Sequence, residues 1–194
     1  MKDFSLFFKL GWDHIISFDA LDHILFIAAL SVVYVLNQWK QVLWLVTAFT
    51  IGHAITLVLS VFNIIRFESG WVEFAIPCTI VATSVFNLIR SGQQSGSIRL
   101  NYILALGFGL IHGMGYANAI RFMLADQQQI GWPLFSFNLG LEIGQIVVVL
   151  LILLLTYVLT NWFAIKRRDW VIFLSSAIFA LALEMAITRF PHSE

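Results

Sequence analysis

Six long apolar stretches constrain the fold of this chain more than any other feature. Each has about the 20 residues that an α-helix needs to cross a bilayer. They do not alternate in polarity, as the strands of a membrane barrel would. The sequence therefore predicts an all-α fold, a polytopic membrane helix bundle in which residues 1–194 form a single transmembrane domain. The predicted spans are 21–38, 42–65, 71–89, 100–123, 134–162 and 170–188.

Composition narrows the class of function. Hydrophobic residues make up 60% of the chain and charged residues 11%, with a formal net charge of zero. This leaves almost no soluble domain and no basic patch for nucleic acid. The single cysteine, Cys78, excludes an intramolecular disulfide and a multi-cysteine metal site. The expected partners are membrane lipids and a metal ion. The sequence leaves open whether the chain also forms a homo-oligomer.

The ends of the chain and the loops predict its placement in the membrane. Residues 1–18 carry aromatic side chains on one helical face, which predicts a short helix at the membrane surface. The cluster Lys166, Arg167 and Arg168 lies in a short loop, and the positive-inside rule makes that side cytoplasmic. The expected location is the bacterial inner membrane, with both termini extracytoplasmic.

Ionisable residues inside the predicted spans are the strongest sign of function. Each costs several kcal/mol in hydrocarbon unless something compensates it. At about 1.5 Å per residue, they share the middle and one half of the membrane. The group comprises His23, His53, His112, Glu142 and Glu184, with Asp22 at the start of the first span.

Helical spacing groups these residues with other polar side chains. Thr50, His53, Thr56 and Ser60 form one stripe, and Asn138, Glu142 and Gln145 form another. Imidazoles and carboxylates from several helices are typical ligands of first-row divalent metals such as Ni, Co or Zn. Asn138 and Gln145 could orient such ligands.

Structural explanations compete at each position. Asp19 could cap the first span, with Asp22 favoured by the helix dipole. His53 and His112 could be hydrogen-bonded packing residues, and Glu184 could reach the lipid headgroups. The convergence of several ionisable groups, on separate spans and at compatible depth, favours a shared site.

Five blocks of the sequence resemble the HupE/UreJ family of small membrane proteins, and more closely its second subgroup. The resemblance runs in order over about residues 11–148. It implies uptake of nickel or cobalt, and it adds His14 to the pair Asp22 and His23 as expected ligands. The blocks are "GWDHIISFDALDHILFIAAL", "FTIGHAITLVLS", "VEFAIPCTIVATSVFNL", "GFGLIHGMGYANAI" and "FNLGLEIGQ".

The leading hypothesis is a permease or binding protein for a divalent transition metal, Ni, Co or Zn. Its predicted ligands are His14, Asp22, His23, His53, His112 and Glu142, supported less directly by Asp19, Asn138, Gln145 and Glu184.

Two alternatives remain open from sequence. A membrane-embedded zinc hydrolase would use three histidines and a carboxylate around the metal, with Glu142 as base. A haem protein would use His53 and His112 as axial ligands. The sequence contains no GxxxxGK[ST] nucleotide-binding loop. Any energy source for transport, the leading hypothesis, would therefore be an ion gradient or a partner.

Overall fold

The computed structural model describes residues 2–17, 20–91, 98–124 and 130–191, and these residues are helical apart from short connections. A 3₁₀ turn, Leu36–Gln38, precedes the third helix. The α-helices are α1 (Lys2–Ile16), α2 (Leu21–Ser31), α3 (Trp39–Val61), α4 (Ser69–Ile89), α5 (Ile98–Leu124), α6 (Gly131–Asn161) and α7 (Arg167–Thr188). The all-α prediction is confirmed for this part of the chain.

The last five predicted spans coincide with α3 to α7 within a few residues. Four helical segments of the described residues are long and apolar enough to cross a membrane: Leu36–Val61, Ser69–Ile89, Gly131–Asn161 and Arg167–Thr188. The 27 residues of α5 would reach about 40 Å, but α5 is not among these four.

The first predicted span is not one continuous helix. The 11 residues of α2 cover only about 16 Å, roughly half of a hydrocarbon core. The preceding helix α1 is bent by 67° relative to α2, and the two together can count as a fifth, broken span. The apolar sequence continues past Ser31, so hydropathy alone gave no sign that the helix ends there.

Two helix pairs are joined at glycines. A Cβ atom at Gly52 would collide with the Leu106 carbonyl of α5, and one at Gly109 would collide with the Phe49 carbonyl of α3. Small residues of this kind let helix backbones approach closely in membrane bundles. The α1/α6 pair has the same construction, with Gly11 against Phe137 and Gly140 against Phe8.

The short helix α2 lies at the centre of the bundle. Eight of its eleven residues are buried, and it contacts α1, α3, α4, α6 and α7. A third pair, α4 and α7, packs along the side of α2. The surface position of residues 1–18 stays a prediction, while in the structure α1 packs along α6 with Phe7 and Ile15 buried.

Candidate metal centre

Four histidine rings from four helices meet inside the bundle. His14 of α1, His23 of α2 and His53 of α3 each offer a ring nitrogen, and these three atoms lie within 4.8 Å of one another. His112 of α5 adjoins the group, with its ring centroid 5.1 Å from that of His23. The predicted convergence of imidazoles is therefore present, and His14 belongs to it.

The ring nitrogens of this cluster lack hydrogen-bond partners. Nε2 of His14, His23, His53 and His112 is buried without a partner among the described residues, and so is Nδ1 of His53. An unsatisfied buried polar atom costs about 1–3 kcal/mol, so native proteins rarely keep several together. Buried imidazole nitrogens that no protein group occupies have the chemistry of ligands for a divalent metal ion.

Two of the rings have a defined tautomer. Nδ1 of His23 lies 3.0 Å from an Asp22 carboxylate oxygen, and Nδ1 of His112 lies 2.9 Å from the Phe108 carbonyl oxygen. Both oxygens can only accept, so each Nδ1 carries the proton when the ring is neutral. The lone pair of each ring then resides on Nε2, which is the nitrogen left available for a metal.

Asp22 lies behind the cluster rather than inside it. Its Oδ1 accepts from the backbone N–H and the ring of His23, and its Oδ2 pairs with Nη1 of Arg189 at 3.1 Å. This carboxylate–histidine arrangement is the usual support for a metal-ligating imidazole. The competing explanation of Asp22 as a simple helix cap does not describe these contacts.

Aromatic side chains enclose the imidazoles. Phe26 and Phe49 lie against His112, with ring centroids 5.2 and 5.1 Å away. Tyr116 lies 4.0 Å from His14, and Phe137 stacks on Tyr116. Such walls keep lipid and bulk water away from the ring nitrogens and lower the local dielectric.

Glu142 does not join the three-histidine group. Its carboxylate accepts a hydrogen bond from Thr47 at 2.7 Å, and one turn further along α6, Gln145 accepts from Thr50 at 2.9 Å. These bonds tie α6 to α3 and satisfy part of the buried polarity. The prediction that Glu142 and the histidines surround one metal is not what this arrangement shows.

The remaining predicted residues have different surroundings. Asn138 lies beside the His53 ring, donates to the Leu134 carbonyl and leaves its Oδ1 unpartnered among the described residues. Glu184 is exposed on α7. Asp19 lies outside the described residues.

The geometry fits a first-row divalent metal after a small contraction. Zinc–nitrogen distances of about 2.0–2.1 Å place tetrahedral ligand atoms about 3.3 Å apart. The three nitrogens lie within 4.8 Å of one another, so the rings would move inward by about 1 Å. His112 lies outside this group of three, with its ring centroid 5.1 Å from that of His23.

Sequence reasoning missed two residues of this site. Arg189 pairs with Asp22 from 167 positions away, and only tertiary structure reveals that contact. Tyr116 was not among the predicted site residues, but its ring contacts His14. Its spacing of four residues from His112 was the available signal.

Comparison with known proteins agrees with this architecture. A family model described as "HupE / UreJ protein" matches residues 1–189. No curated protein and no solved structure matches the chain. The histidine-bearing helices all fall within the matched range, and the chain belongs to the HupE/UreJ family of integral membrane proteins.

Proposed function

We propose that the protein is a membrane permease or binding protein for a divalent transition-metal ion, nickel, cobalt or zinc. The observation that carries this proposal is the set of four buried Nε2 atoms, one each from α1, α2, α3 and α5, without partners among the described residues. Membership of the HupE/UreJ family, which is associated with nickel and cobalt uptake, supports the same class of substrate.

The charges around the cluster favour transient binding. Four neutral imidazoles contribute no negative charge, and the Asp22 carboxylate is already paired with Arg189. Burying a dication in low dielectric is expensive unless opposite charge compensates it. A site with so little compensation holds an ion loosely enough to release it, as conduction through a membrane requires.

The Asp22–Arg189 pair suggests how an ion enters. Arg189 follows α7, and its guanidinium occupies the carboxylate oxygen that an arriving cation would seek. An ion that displaces Arg189 gains the negative charge of Asp22 beside the His23 ring. Asp22 then acts by orienting His23 and by attracting the cation.

The hydrolase alternative receives less support. It needs Glu142 as a base beside a metal-bound water, but the Glu142 carboxylate bonds to Thr47 and lies outside the three-histidine group. We therefore favour transport.

Metal content tests the proposal directly. Protein purified without chelator and then incubated with excess nickel, cobalt or zinc should bind close to one equivalent of metal, as measured by elemental analysis. Bound metal should decrease as the pH falls, because a protonated imidazole cannot coordinate. Protein that takes up none of the three metals at pH 7.5, although it is folded, would contradict the proposed function.

The basic loop between α6 and α7 also supports a proposal for the orientation of the protein in the membrane. We place the end that carries Lys166, Arg167 and Arg168 in the cytoplasm of a bacterial cell, which puts the chain termini and the Asp22 end outside. A reporter enzyme fused after Glu194 should be active only if exported. Activity of a cytoplasmic reporter at that position would reverse the orientation.

A further inference from the structure

A cavity lies at the opposite end of the bundle from the Asp22–Arg189 pair. Its volume is about 740 Å³, within the range of about 300–1,000 Å³ typical of ligand pockets. It lies between α2, α4, α5 and α7, at the end where α4 finishes and α7 begins. We name it the arginine cavity, because Arg90, Arg167 and Arg168 line it.

The walls of the arginine cavity are amphipathic. Apolar surface is supplied by Leu30, Leu104, Phe108 and Val171. The three arginines lie where α4 finishes and α7 begins. Leu104 is 36% exposed, so the cavity opens sideways between helices. In a membrane-spanning bundle, such an opening faces lipid.

The three arginines lack a compensating acid in this cavity. The described residues that line it include neither aspartate nor glutamate. Arg90 stacks on Phe86, with Cζ 4.3 Å from the ring centroid, and Arg167 donates through Nη2 to the Val33 carbonyl. Those contacts hold the two side chains in place but leave their positive charge unneutralised. Asp169 lies on the same turn of α7 but does not line the cavity.

This charge pattern argues against a free metal ion as the occupant. A dication would meet three like charges, whereas a phosphate would gain charge-assisted, bidentate hydrogen bonds from guanidinium groups. The positive-inside rule explains why basic residues occur at this end of the bundle. It does not explain why three of them line one cavity with apolar walls.

We propose that the arginine cavity binds the phosphate headgroup of an anionic phospholipid, with Arg90 and Arg168 on the phosphate and an acyl chain along Leu104 and Phe108. Basic pockets between transmembrane helices at the cytoplasmic side bind such headgroups in other membrane proteins. The site is separate from the metal centre and does not depend on its function. Phe108 links the two, because its carbonyl accepts from His112 while its residue lines the cavity.

Native mass spectrometry of the full-length protein in detergent tests the proposal. Phosphatidylglycerol should stay bound at concentrations where phosphatidylcholine with the same acyl chains does not. The double variant Arg90→Gln/Arg168→Gln should weaken phosphatidylglycerol binding about tenfold or more, given the attraction of each basic residue for anionic lipid. Arg167 is kept, because its contact with Val33 serves the fold.

The matched control removes two charges from the same end of the bundle outside the cavity. Lys40→Gln/Lys166→Gln should bind phosphatidylglycerol nearly as well as the parent. An equal loss of phosphatidylglycerol binding in both double variants would show that the lipid is attracted to the basic surface as a whole. That result would contradict the proposed binding site. Inorganic phosphate that binds as tightly as the lipid would overturn the lipid assignment, and so would equal binding of phosphatidylcholine.

Discussion

Replacing His53 with glutamine is expected to reduce metal affinity by at least about 10–100-fold, the range already seen when only a supporting residue of a metal site is changed. His53 is fully buried, and both its ring nitrogens lack partners among the described residues. Glutamine keeps a polar side chain of similar length, so the helix packing should survive. Chelator competition would measure the affinity, and a thermal melt would verify the fold.

Two further variants make the His53 result specific. Asp22→Asn should weaken binding less than His53→Gln, because the amide keeps the position of His23 but loses the negative charge. Glu184→Gln should bind metal with the same affinity as the parent, because Glu184 is exposed on α7 although the sequence also made it a candidate. Unchanged affinity in a folded His53→Gln protein would show that the histidines are separate packing residues.

Replacing Gly109 with alanine should destabilise the bundle by about 1–3 kcal/mol, the usual cost of overpacking, or prevent folding. The added methyl would collide with the Phe49 carbonyl and push α3 away from α5. The measurement is thermal unfolding in detergent, monitored by the circular dichroism signal of the helices.

Gly107 offers a matched control two residues earlier on the same helix. A Cβ atom at Gly107 would meet nothing within 4 Å among the described residues. Gly107→Ala should therefore be neutral or stabilising by up to about 1 kcal/mol through helix propensity. Equal losses in the two variants would mean that helix packing at Gly109 does not limit stability.

The sequence predicted what depends on hydropathy and depth. The helices α3 to α7 lie within a few residues of the last five predicted spans, because apolar composition marks out long helices in a chain of this kind. Depth along each span also predicted that His23, His53 and His112 share the middle and one half of the membrane. The early end of α2 at Ser31 was not predictable, because the apolar composition continues beyond it.

The parts that sequence missed depend on rotation and tertiary contact. Glu142 shares a helical stripe with Asn138, but the structure pairs it with Thr47, while Asn138 lies beside His53. Which member of a stripe meets a given neighbour depends on how two helices rotate against each other. The pairing of Arg189 with Asp22 likewise depends on where α7 ends relative to α2.

The glycine contacts divide the ligand-bearing helices into a fixed frame and one adjustable part. Glycine–carbonyl contacts fasten α1 to α6 at Gly11, and α3 to α5 at Gly52 and Gly109. The helices α1, α3 and α5 carry His14, His53 and His112. The fourth ring, His23, sits on the short helix α2, whose flank carries Ala28 and Ala29. If the cluster binds metal as proposed, the position of the short helix α2 between α1, α3 and α5 sets the size of the ion that the cluster accepts. Discrimination among ions of similar radius could then evolve through alanine-sized changes along α2, with every ligand left untouched.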